Sequence, residues 1–131
     1  MKNITFTDYQ NKIEGQLIRH RSILDIMSKN QDAVSRVNRA VAKAVTGCGC
    51  IEIHAKKQEI PEDGSLDSLG SYMDSHLTGK LCPQCSSILK DELGSQFFYM
   101  TSLANTLGLN LDDIILQEEK KMSALGKYHL R

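Results

Sequence analysis

A chain of 131 residues, 40% hydrophobic and 24% charged, has the length and apolar content of one folded domain, residues 1–131, rather than of a disordered segment. Its 16 basic and 16 acidic residues cancel, which argues against a non-specific nucleic-acid binder, whose affinity rests on a basic excess. The N-terminal Met1-Lys2-Asn3-Ile4-Thr5-Phe6 lacks the apolar stretch of a secretory signal, and no apolar run can span a bilayer, so the expected location is cytoplasmic, with thiols kept reduced.

Residues 7–28 read as a first helix, capped by Thr7 or Asp8, with Ile13, Leu17, Ile18 and Ile23 on a broad apolar side. Asn30 is placed to cap a second helix, in which Ala33, Val37, Val41 and Ala44 recur at helical spacing. Residues 48–55 fit two patterns. A helix would continue the stripe through Ile51 and Ala55, and a strand would put Cys50, Glu52 and His54 on one face. The helix is the expectation, because a lone short strand has no evident partner.

Residues 58–65 have loop composition, and Ser65 caps a short third helix carrying Leu69, Met73, His76 and Leu77, which Gly79 ends. Leu81-Cys82-Pro83-Gln84-Cys85 turns into a long helix reaching about Leu107, apolar on most of its sides, as a buried element or a subunit interface would be. Gly108 closes it, Asn110 caps the last helix with Asp113 in the capping-box position, and Gly126 stops it. Together these elements define an all-α, antiparallel helical bundle.

Four cysteines fall in two pairs, Cys48-x-Cys50 and Cys82-x-x-Cys85. The second pair can aim two thiolates at one centre from a turn stiffened by Pro83, and a tetrahedral zinc ion requires a second pair. On a regular helix, residues two apart point about 200° apart, so Cys48 and Cys50 could not both reach one ion. Within a straight helix, Cys50 with His54, or Cys48 with Glu52, would share a face, and His76 lies six residues before Cys82. The expected metal ligands are therefore Cys48, Cys50, Cys82 and Cys85, with His54 and His76 as alternatives. Competing readings are a thiol redox switch and inert buried thiols.

Residues 86–126 carry a further pattern. Lys90-Asp91-Glu92-Leu93-Gly94-Ser95 leads into an apolar helix, Leu107-Gly108-Leu109-Asn110-Leu111 forms a turn, and an amphipathic helix follows. This resembles the second half of MazG-like nucleotide pyrophosphohydrolases. The cysteine pairs and the closing Leu125-Gly126-Lys127-Tyr128 resemble a cysteine-containing bacterial subgroup of that family. The resemblance implies a MazG-like bundle, a homodimer with Phe97, Phe98, Tyr99 and Met100 suited to the interface, and Mg²⁺-dependent attack of water on a nucleoside triphosphate. Glu92 matches the first acid of the family's Glu-x-x-Asp motif, but Ser95 stands where the Asp would be. Of the preceding Glu-Glu-x-x-Glu motif only Glu52 remains, with Cys48 and Gly49 in place of the leading acids. Exchanging carboxylates for thiolates moves the preferred metal from magnesium towards zinc.

Three functions follow. The leading expectation is a zinc-stabilised structural or regulatory protein with eroded catalytic acids. The second is a nucleotide hydrolase with an altered site, in which Glu52 and Glu92 would hold Mg²⁺ and Lys56, Lys57 or Lys90 would meet phosphates. The third is a thiol-based redox or zinc-responsive regulator.

Overall fold

The computed structural model describes residues 4–126. Among them the fold is a mostly helical bundle with one small antiparallel sheet, and no helix is long and apolar enough to cross a membrane. Lys127 and Tyr128, which contribute to the family resemblance, lie outside the described residues.

Helix α1, Phe6–Gln16, starts at Thr5, whose hydroxyl accepts from the Asp8 amide at 3.1 Å. The expected single helix over 7–28 is not what forms. Leu17 leaves helical geometry, with ψ 102, and packs its side chain inward at 6% exposure. Arg21 closes the break by donating to the carbonyls of Leu17 and Glu14 and pairing with the Glu14 carboxylate at 2.6 Å. Ile18, counted on the apolar side of a continuous helix, is left 79% exposed because the helical period ends before it.

Helix α2, Ile23–Lys43, then runs unbroken through Asn30, so the expected boundary there is also corrected. No glycine or proline interrupts this stretch. Ile26, Ala33 and Ala44 lie along one buried stripe, 7 and 11 positions apart, which a break at Asn30 would disrupt.

After α2 the backbone widens into a π-helical turn, Ala44–Cys48, closed by the Gly49 amide donating to the Ala44 carbonyl at 2.9 Å. Strand β1, Ile51–Ile53, follows and pairs antiparallel with β2, Leu77–Gly79, in the register Ile51↔Gly79 and Ile53↔Leu77. Cys48 closes the π turn and residues 49–55 are not helical, and Leu77 and Gly79 belong to a strand rather than to the third helix. The partner strand that seemed missing comes from beyond a long excursion, residues 54–76. That excursion holds a 3₁₀ turn, Leu66–Ser68, and the four-residue helix α3, Leu69–Tyr72. Ser65, expected to cap the third helix, caps the 3₁₀ turn that leads into it, and Ser68 is the N-cap of α3. The Gln58 side chain pins the base of the excursion, donating to the Asp74 carbonyl and accepting from the Asp74 amide, both at 2.9 Å.

Helix α4, Pro83–Thr106, packs antiparallel to α2 along most of its length, and this pair is the spine of the fold. Gly108, at φ +73, ends the connection, and Asn110 caps helix α5, Leu111–Leu125, as the sequence indicates. Gln10 on α1 locks this corner from the other side. Its amide nitrogen donates to Asn105 Oδ1 and the Leu109 carbonyl, and its oxygen accepts from the Leu111 amide.

Candidate metal centre

The candidate site lies where α2 ends and α4 begins. Cys82 is the N-cap of α4 and Pro83 the first helical residue, a position that suits proline because the missing amide hydrogen would go unused there. Cys85 lies one turn along, so both sulfurs of the second pair point off the N-terminal end of α4.

The first pair reaches the same point by a different route. The π turn rotates Cys48 out of the regular helical phase, and Gly49 takes a left-handed conformation at φ +81 that L side chains rarely adopt. Cys50 follows in the bend that leads into β1. The objection that two residues two apart on a regular helix diverge by about 200° is thereby removed, because Cys48 ends the π turn and Cys50 lies beyond it in non-helical backbone. On the other side of the hairpin Gly79 presses against this segment. A Cβ there would stand 2.5 Å from the Cys50 carbonyl oxygen, so the close approach of β2 to Cys50 depends on glycine.

The outcome is a cluster. The sulfurs of Cys48, Cys50, Cys82 and Cys85 all lie within 4.8 Å of one another, and Cys48 and Cys82 are 3.8 Å apart. Cys48 is exposed, Cys50 and Cys82 are half-buried, and Cys85 is the most enclosed. Four sulfur donors from two chain segments can hold one metal ion. With Zn–S bonds of about 2.3 Å, a tetrahedron has S···S edges of about 3.8 Å, the separation found between Cys48 and Cys82.

The sulfurs also set one another's protonation. The Cys85 amide, 3.4 Å from the Cys82 sulfur, holds the Cys82 thiol down at about 7, with help from the Cys85 thiol. The Cys85 thiol, hydrogen-bonded to that same sulfur and half-buried, is pushed up to about 12. Cys48 is raised, first by its contact with Cys82. A metal ion bound here would displace the protons of the raised thiols.

The other residues singled out in the sequence are elsewhere. Among the described residues the cluster consists of the cysteines alone, and neither His54 nor His76 belongs to it. His54 pairs with Glu52 at 2.9 Å on the exposed face of the hairpin. His76 takes a positive φ of 59, and its carbonyl accepts from the His54 amide, extending the β1–β2 ladder. Glu52 is 65% exposed on β1, whereas Glu92 is half-buried on α4, 3.6 Å from the Arg36 guanidinium of α2. That separation is an ion pair without a hydrogen bond, and one Glu92 oxygen has no hydrogen-bond partner.

Beside the cluster, between α2 and α4, lies a cleft of about 510 Å³ that no motif in the sequence marks. Ala40, Ala44, Ile88 and Leu89 form its apolar floor, and Cys48 and Cys85 form one wall. The small residues at 40, 44 and 47 were its only signal. No family model matches this chain, and neither a curated protein nor a solved structure matches it significantly.

Proposed function

We propose that the chain is a zinc-bound helical protein in which Cys48, Cys50, Cys82 and Cys85 hold one Zn²⁺ that fastens the end of α2 and the β1–β2 hairpin to the start of α4. The observation that carries this reading is the convergence of four sulfurs within 4.8 Å from two distant segments. Four protein ligands leave no open position on a tetrahedral ion, so the role of the metal is structural or regulatory. In this reading the helical frame descends from MazG-like pyrophosphohydrolases, as the pattern in residues 86–126 suggests, and thiolates have taken over from the acids. The positions of Glu52 and Glu92 favour it over the hydrolase alternative. One is exposed beside His54 and the other is engaged by Arg36, so among the described residues neither stands in a group of carboxylates fit for Mg²⁺.

The same reading includes a homodimer. A groove of about 320 Å³ between α4 and α5 is lined by Phe97, Met100, Leu107, Ile114 and Ile115, and each of these side chains is more than a third exposed. A second copy of the chain, which would present the same exposed apolar α4–α5 face, is the proposed occupant.

Cobalt substitution tests the metal site directly. Co²⁺ added to metal-free protein should give the intense sulfur-to-metal and ligand-field absorption of tetrahedral thiolate coordination, saturating at one ion per chain. Weak octahedral spectra, or no saturation, would remove the four-cysteine site.

A further inference from the structure

The cluster brings together two thiols that belong to different elements. Cys48 ends the π turn and Cys82 caps α4, yet their sulfurs are in van der Waals contact at 3.8 Å. A disulfide requires about 2.05 Å, and the backbone around Cys48 can supply that movement. Gly47 and Gly49 flank it, and a Cβ at either would meet nothing within 4 Å. The other two sulfurs are less available. Cys85 is the most enclosed, and Cys50 points its sulfur towards the Ala44 carbonyl at 3.9 Å. Cys48 is the exposed member, open to a small oxidant.

We propose that the centre is also a peroxide-responsive latch, in which oxidation joins Cys48 to Cys82 and expels the metal. The metal-release half rests on the zinc reading above, while the crosslink does not. In the reaction one thiolate sulfur attacks a hydroperoxide, breaking its O–O bond, and becomes a sulfenic acid as hydroxide leaves. The second thiolate attacks that sulfur and expels a second hydroxide, closing the S–S bond. The two sulfurs together lose two electrons, the peroxide gains two, and two protons convert both hydroxides to water. Zinc then retains only Cys50 and Cys85, too few to hold it against solvent.

The crosslink has a structural consequence that a bond between Cys82 and Cys85 would lack. It keeps α2 tied to α4 after the ion leaves, while Cys50, and with it the β1–β2 hairpin, loses its anchor. Cys48 and Cys85 also form one wall of the cleft between α2 and α4, so the latch reshapes that wall.

The test is titration of the full chain with hydrogen peroxide, with zinc content measured beforehand and released zinc followed with a chromophoric chelator. Remaining thiols are then alkylated and the protein is digested with trypsin, which separates residues 44–56 from residues 81–90. The expected result is one zinc released per disulfide, and a crosslink between the two peptides in which fragmentation finds Cys50 and Cys85 alkylated. A disulfide confined to residues 81–90, a crosslink through other sulfurs, or sulfinic acid without a crosslink would overturn the latch. If the protein holds no zinc at the outset, the zinc reading fails on that measurement alone, and the crosslink in the reduced protein still decides the latch.

Discussion

At the scale of single residues, the site depends on a glycine that carries no chemistry. Gly79 sits at φ +86 with the Cys50 carbonyl where its Cβ would be. Gly79→Ala should therefore destabilise the protein by about 1–3 kcal/mol, through a strained backbone and a displaced strand. It should also weaken metal binding, because Cys50 moves with its carbonyl. Thermal unfolding with and without metal checks this, and an equal loss in both states would detach Gly79 from the centre. Protonation gives a second residue-scale expectation. Metal binds thiolates, so the ion must displace protons from Cys48 and Cys85, whose thiols are raised, and affinity falls as pH falls. Cys82, held at about 7, is mostly ionised above that pH and mostly protonated below it. The slope of log affinity against pH should thus steepen by about one proton per ion as pH drops through about 7. Competition with a chelator across pH 6–8 (roughly one unit either side of that value) measures it, and a constant slope would contradict the assignment to Cys82.

At the scale of elements, Gln10 decides how α1 meets the α4–α5 corner. It is 8% exposed and its side chain satisfies Asn105, Leu109 and Leu111 together. Gln10→Ala strips partners from buried backbone groups and should cost about 1–3 kcal/mol in denaturant unfolding. A change within a few tenths would mean that water replaces the amide. The elements also show what the sequence could reveal. The start of α4 and the caps of α5 were legible because their signals are local: Cys82-Pro83, Gly108 and Asn110 act within a turn of where they stand. The hairpin was not, since β1 and β2 have three residues each and residues 54–76 lie between them, so neither strand announces its partner. The break between α1 and α2 was hidden for another reason. Leu17 looks like one more residue of an apolar stripe, and only its burial outside helical geometry, secured by Arg21, ends the helix. The four cysteines were legible as ligands by type. Their convergence was not, because it needs a π turn and a left-handed glycine that no simple periodicity encodes.

At the scale of the whole molecule, the proposed function places two reservoirs of stability outside a conventional core. One is the apolar α4–α5 face. Ile115→Glu, at a position 42% exposed in the single chain, should convert a dimer to a monomer in light scattering, with the helical content of the fold retained. An unchanged dimer would place the interface elsewhere, and a wild-type monomer would remove the dimer from the account. The other reservoir is the metal centre, on which the reading of this protein chiefly depends. The most direct test is elemental analysis of protein purified without chelator or affinity metal, comparing the native chain with Cys85→Ser. About one zinc per native chain (the stoichiometry of a single four-ligand site) is expected, and its loss in the variant. A native protein free of metal, with all four thiols titrating at once, would contradict it.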